Sequence, residues 1–224
     1  MRMKKIKNQI FGLFNRLIVI YFLIGVGFYF ISDKNAIMTS KIAALDRLRP
    51  ESFKYLVDIS KDPSLFDEKK LREYVYYYQK VNDYSGGRAD AYGMLGLCYY
   101  HLKDYKKAID AYTKAAQDTP QFFWFHYNPG LIYFKQGQFK EAGENFKKAL
   151  ATNPVHAVVF ISRSKLYVPL IQDKTIQETI VLENVQRAFK DCERLMVLSY
   201  QMDALKKEDR KPVPVVEKLT PQIF

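Results

Sequence analysis

Along residues 50–207 the apolar positions recur every three or four residues, the period of an α-helix with one buried face. Pro50 can open a first helix, with Phe53, Leu56 and Ile59 sharing a face. After Asp62-Pro63 a second helix is predicted, with Leu71, Tyr74, Val75, Tyr78 and Val81 on one stripe, and Gly86-Gly87 separates it from the next helix. Two further helix pairs fill residues 89–122 and 123–156, turning at "LKDYKKA" (102–108) and "KQGQFKEA" (135–142). A helix over Ala157–Val168 is stopped by Pro169, and a long one over Thr175–Lys207 carries Val181, Val185, Ala188, Cys192, Leu195 and Met196. Three prolines from Glu208 onward predict an extended tail, and Ile37, Ile42, Leu45 and Leu48 suggest a helix over 33–49. No alternating apolar–polar run is long enough for a strand, so the fold class is all-α.

Two of these units repeat. With residues 89–122 laid over 123–156, Gly96 falls on Gly130, Tyr99 on Tyr133, Ala108 on Ala142, Tyr112 on Phe146, Ala115 on Ala149 and Pro120 on Pro154, all at an offset of 34. Small residues belong where two helices cross closely, aromatics fill the space between pairs, and the proline ends one unit and sets the angle of the next. In period and in this Gly-Tyr-Ala-aromatic-Ala-Pro pattern the segment resembles the tetratricopeptide repeat (TPR) family. The resemblance implies antiparallel helix pairs stacked into a right-handed superhelix, an α-solenoid with a concave, partner-binding groove.

The implied groove residues of the second unit are Trp124, Tyr127, Leu131 and Phe134, and one unit earlier Asp90, Gly93, Leu97, Tyr100 and His101. They lie in and around "QFFWFHY" (121–127), which has five aromatics in seven residues, including the single Trp. An aromatic floor of that kind suits an apolar or amphipathic peptide, and packing into the stack is the competing use of the same rings. TPR domains that clamp the acidic C-termini of heat-shock chaperones use an asparagine with basic residues. Asn128 matches that asparagine, but Gly93, Leu97, Val158 and Ser162 occupy the other positions, so that mode of binding is not expected.

Pro129 sits where the repeat usually has Leu. A proline inside a helix removes one amide donor and crowds the preceding turn, at about 3 kcal/mol. Either the helix restarts at Asn128-Pro129 after a separate turn over 121–127, or a continuous helix bends there; the second is favoured, because stacking on both sides can offset the loss.

The expected organisation is a basic N-terminus and transmembrane anchor (1–32), a linker helix (33–49), a divergent capping pair (50–87), one repeat at 88–121 and another at 122–154, a degenerate repeat with a C-terminal capping helix (155–208), and a tail (209–224). The anchor rests on "LIVIYFLIGVGFYFI" (17–31), which has no charge. Alone it spans about 22 Å of a hydrocarbon core of about 30 Å, and extension back through Ile10 supplies the rest, with Arg16 snorkelling. A cleaved signal peptide is the alternative, but the small pair Gly25/Gly27 lies inside the apolar run. Arg2, Lys4, Lys5, Lys7 and Arg16 precede the run with no acid among them, which places the N-terminus in the cytoplasm and the repeats across the membrane, in a bacterium the periplasm.

Those five charges also account for nearly half of the net +11, and the remainder shows no dense basic stripe, so nucleic acid is not an expected partner. Cys98 and Cys192 are far apart and in no paired motif; they form two buried thiols or one bridge. His101, His126 and His156 lack helical metal spacing, and no nucleophile elbow or phosphate loop is present. No catalytic, cofactor or metal residues are assigned. The expected function is a non-enzymatic scaffold that binds other proteins in a cell-envelope complex, or else a structural subunit that self-associates.

Overall fold

The computed structural model describes residues 19–25, 48–163, 174–205 and 221, and the chain divides into two compact units, Met1–Arg47 and Leu48–Phe224. In the first, residues 19–25 are helical and Val19 to Ile24 are exposed. The rest of the expected anchor, the linker over 33–47 and most of the tail lie outside the described residues. Among the described residues no helix is long and apolar enough to cross a membrane.

Every regular element described in the second unit is helical: α1 (Leu48–Lys61), a single 3-10 turn (Pro63–Leu65), α2 (Glu68–Ser85), α3 (Ala89–His101), α4 (Tyr105–Asp118), α5 (Trp124–Lys135), α6 (Phe139–Leu150), α7 (Pro154–Arg163) and α8 (Lys174–Ala204). The ends are set by short polar side chains and glycine. Asp67 accepts from the Lys70 amide and Asp104 from the Lys107 amide, each satisfying a first-turn donor. Gly86 closes α2 in the left-handed region at φ 75°, and the buried Asn82 side chain accepts from the Arg88 amide to aim α3.

The two 34-residue units make the same contacts. A Cβ on Gly96 would lie 2.8 Å from three Tyr112 ring atoms, and one on Gly130 would lie 2.6 Å from Phe146. Each glycine therefore lets the ring of its partner helix rest on the backbone. Ala108 and Ala115 of one unit, and Ala142 and Ala149 of the other, are fully buried at the same crossings. The turns coincide too: the Asp104 amide donates to Tyr99 as Gln138 does to Tyr133, and Lys103 (φ 60°) takes the left-handed conformation that Gly137 (φ 73°) takes 34 residues on. Tyr99 and Tyr133 are half-buried, Pro120 is exposed, and Pro154 opens α7.

Helix α5 runs through Pro129 without a break. Residues 124–127 are therefore its first turn rather than a separate one, and the amide that Pro129 lacks is the one that would have reached Phe125. The buried Pro129 ring stands where the first unit places Leu95, which is also buried.

The third unit departs from the frame. The spacing predicts that the helix after α6 stacks on α5 and α6 as the first helix of a new pair. Instead, α6 packs as extensively on α8 as on α5, its own partner, while α7 packs chiefly on α8. Cys192 Sγ lies 3.5 Å from the Phe146 carbonyl oxygen, the Tyr200 ring covers Gly143, and Phe189 stacks on Phe123 with centroids 4.4 Å apart. The first two contacts run antiparallel along α6, as those of the next first helix would. Glu183, Arg187, Lys190, Glu193 and Arg194 are exposed on α8, so the end of the stack is closed by charge.

Candidate functional site

The rings expected to floor a groove are buried. Trp124 and Tyr127 are each 1% exposed, Leu131 0% and Phe134 5%, and Asn128 is buried with them; Tyr100 and His101 are half-buried. The expected aromatic floor of the second unit thus faces protein. The cause lies in the C-terminal third of the chain. Phe123, Trp124 and Tyr127 form one aromatic cluster (Phe123–Tyr127 5.1 Å, Trp124–Tyr127 5.5 Å), and Phe189 of α8 seals it. Burial, with Cys192 and Asp191 of α8 nearby, pushes the Tyr127 hydroxyl well above the usual phenol range. Phe134 closes on Phe139 across the α5–α6 turn at 5.0 Å, just as Tyr100 meets Tyr105 at 5.8 Å one unit earlier. Tyr100 keeps a polar tip: the Lys135 ammonium donates to its hydroxyl at 2.9 Å.

The other groove position with a charge is Asp90. It is 4% exposed, and its carboxylate takes both Arg88 Nε (3.0 Å) and Arg88 Nη2, as well as the Ala91 amide. A buried carboxylate held by a two-pronged guanidinium is fixed in place and is not available to a reacting group. Gly93, one turn on, lies beneath Phe125, which a Cβ would approach to 2.6 Å.

His101 reaches in the other direction. Ser60 Oγ donates to the Leu56 carbonyl at 2.7 Å and meets His101 Nε2 at 3.2 Å, so the imidazole N–H donates to the serine and ties α1 to α3. Burial, helped by the Lys135 charge, lowers its pKa from 6.5 to about 4. His126 bonds back to the segment before α5: Nε2 lies 2.9 Å from the Pro120 carbonyl, so that nitrogen carries the proton and donates it. His156 is exposed on α7. Among the described residues no group of three or more His, Cys, Asp or Glu is placed to hold a metal. Cys98 and Cys192 are both buried and unbridged, and burial raises both thiols far above their ordinary range, so neither is a nucleophile as it stands.

An open cleft lies at the N-terminal end of α3, bordered by the C-terminal ends of α2, α4 and α7. A cavity of about 410 Å³ is lined by Ser85, Gly87, Arg88, Asp90, Asp118, Phe160 and Arg163, among others. One wall is α7: Phe160 packs on Phe122 (4.4 Å) and on the edge of Phe125 (5.5 Å). The repeat spacing did not reveal this cleft, because it placed residues 157–168 on a different surface.

A family profile described as TPR repeat matches residues 96–137, and one described as tetratricopeptide repeat matches residues 125–156. A general transcriptional corepressor, trfA, of Dictyostelium discoideum is 30% identical over 109 residues, 46% of this chain, and this chain spans 8% of that protein's length. Tetratricopeptide repeats therefore lie within residues 96–156, as the contacts between Gly96 and Tyr112 and between Gly130 and Phe146 also indicate.

Proposed function

We propose that the chain is a scaffold fixed in the cytoplasmic membrane by its N-terminal segment, with a short repeat stack that holds other proteins of a cell-envelope complex together. The observation that carries this reading is the repeated glycine-under-ring packing of α3–α4 and α5–α6: repeats of this kind form protein-binding scaffolds. Support for the membrane half is the charge-free stretch 17–31 behind five basic residues, within which residues 19–25 are helical with exposed apolar side chains. In this reading the N-terminus is cytoplasmic and the stack periplasmic. Complexes of the right kind include secretion and pilus assemblies and a periplasmic collar of a flagellar motor.

The test is made in the native host. A photo-crosslinking residue at exposed Ser85, which lines the cleft, should give a discrete adduct with another protein, and one at exposed Lys140 should not. The chain should stay in the membrane after alkaline extraction and be digested by protease added from the periplasmic side. Release by alkali would remove the anchor, and adducts only with further copies of the chain would replace the scaffold by a self-associating subunit.

A further inference from the structure

Helix α7 is displaced from the repeat frame, and its new position is specific. It carries no charge from Pro154 to Ser162, then ends on Arg163. Phe160 is set against Phe122 and Phe125, and the Phe125 ring in turn lies over Gly93, a groove position. Three residues on, Arg163 lines the same cleft as Asp90 and Asp118. The Asp90 carboxylate is held by Arg88, and Asp118 is the second acid in the lining that Arg163 shares. An aromatic side chain followed one turn later by a basic one is thus seated at the groove mouth by the chain itself.

The seat is shallow. Of the described side chains of α7, Ala157 and Ile161 are fully buried, while Val155 is 55% and Val159 37% exposed. Buried apolar area holds a helix to a stack, and few buried contacts mark the elements that open first.

We propose that α7 is a built-in occupant of the groove mouth, a displaceable segment that keeps the place of a partner helix bearing an aromatic residue and, one turn later, a lysine or arginine. This rests on the scaffold reading and names the kind of segment the scaffold takes. A tethered occupant acts at an effective concentration of about millimolar, so the intact chain hides the site from dilute ligand until a stronger segment displaces α7.

The probe is a fluorescein-labelled synthetic peptide of residues 154–163, PVHAVVFISR, titrated against the full-length chain in mild detergent and read by anisotropy. The Phe160→Ala chain, with its own occupant weakened, should bind the peptide at least about tenfold more tightly than the intact chain. A peptide with alanine for its phenylalanine should bind neither. A Phe160→Ala chain that melts cooperatively yet binds no more tightly than the intact chain overturns the proposal. If that variant does not fold, hydrogen exchange on the intact chain decides: α7 amides should exchange at least about tenfold faster than those of α5, and equal exchange overturns it. Neither readout depends on the membrane anchor or on the envelope partner, so either proposal can fail alone.

Discussion

Replacing Gly130 by alanine sets two effects of opposite sign against each other. In an exposed helix interior the change is favourable by about 0.5–1 kcal/mol, because alanine loses less backbone freedom on folding. Here the new Cβ would sit 2.6 and 2.7 Å from two Phe146 ring atoms, roughly 1 Å inside ordinary carbon–carbon contact. Phe146 is fully buried between α5, α6 and Tyr127, so the ring cannot swing clear. Overpacking of this kind costs about 1–3 kcal/mol, which leaves a net loss of up to about 2.5 kcal/mol and lowers Tm by up to roughly 10 °C for a chain of this size. Phe146→Leu alone should lose about 1–2 kcal/mol by opening space. In the double variant that space receives the methyl group, so the loss should fall short of the sum by about 1 kcal/mol. Urea denaturation followed by circular dichroism gives all four corners of the cycle. The same cycle on Gly96 and Tyr112 should give the same sign and similar size. A higher Tm for Gly130→Ala, or additivity in either cycle, would refute the close crossing at both glycines.

Four further outcomes are expected. His101 has a folded pKa of about 4 against an ordinary 6.5, so the unfolded chain binds its proton first as pH falls; the contribution, on the order of 3 kcal/mol, is present above pH 6.5 and lost between 6.5 and 4. His101→Gln should flatten that part of a stability–pH curve, and an unchanged slope would contradict the burial of the ring. Lys103→Gly should stabilise by about 0.5–1 kcal/mol in urea melts, since Lys103 holds a φ of 60° where the second repeat has Gly137. Pro129→Leu should raise stability by about 1–3 kcal/mol, by restoring an amide donor to a helix that is already continuous; a loss would mean the proline ring is required for packing. Trp124→Ala with Tyr127→Ala should cost more than about 5 kcal/mol and collapse helicity, because both rings are fully buried in one aromatic cluster, and retained helicity would show that they line an open surface.

The repeat was legible because packing constraints are local and periodic: where helices cross, only a small residue fits, and that residue returns 34 positions later. One helix end was legible too, at Gly86-Gly87. The groove was misplaced because exposure is set by elements that arrive from elsewhere in the chain. Tyr127 has the spacing of a groove residue, but α8 supplies Phe189 and Cys192 to cover its cluster. A signal of this existed: Ile176, Ile180 and Glu183 stand 34 residues after Ala142, Phe146 and Ala149, so the long helix lacks the small and aromatic residues of a second helix in a pair. It packs as a first helix instead, and α7 is left to lie over the cleft. Nothing in the spacing marked Phe160 as its neighbour-to-be, since an aromatic on an apolar helix face fits either position.

The burial of the aromatic cluster and the opening of the cleft both depend on α8, not α7, completing the stack on α6. Nuclear Overhauser spectroscopy of the full-length chain with selectively labelled phenylalanine measures this directly. Cross-peaks are expected from the Phe189 ring to Phe123 and from the Phe160 ring to Phe122, each pair having centroids 4.4 Å apart. Cross-peaks joining Phe160 to Phe146, with none between Phe189 and Phe123, would put α7 on α6 as a third regular repeat and contradict that arrangement.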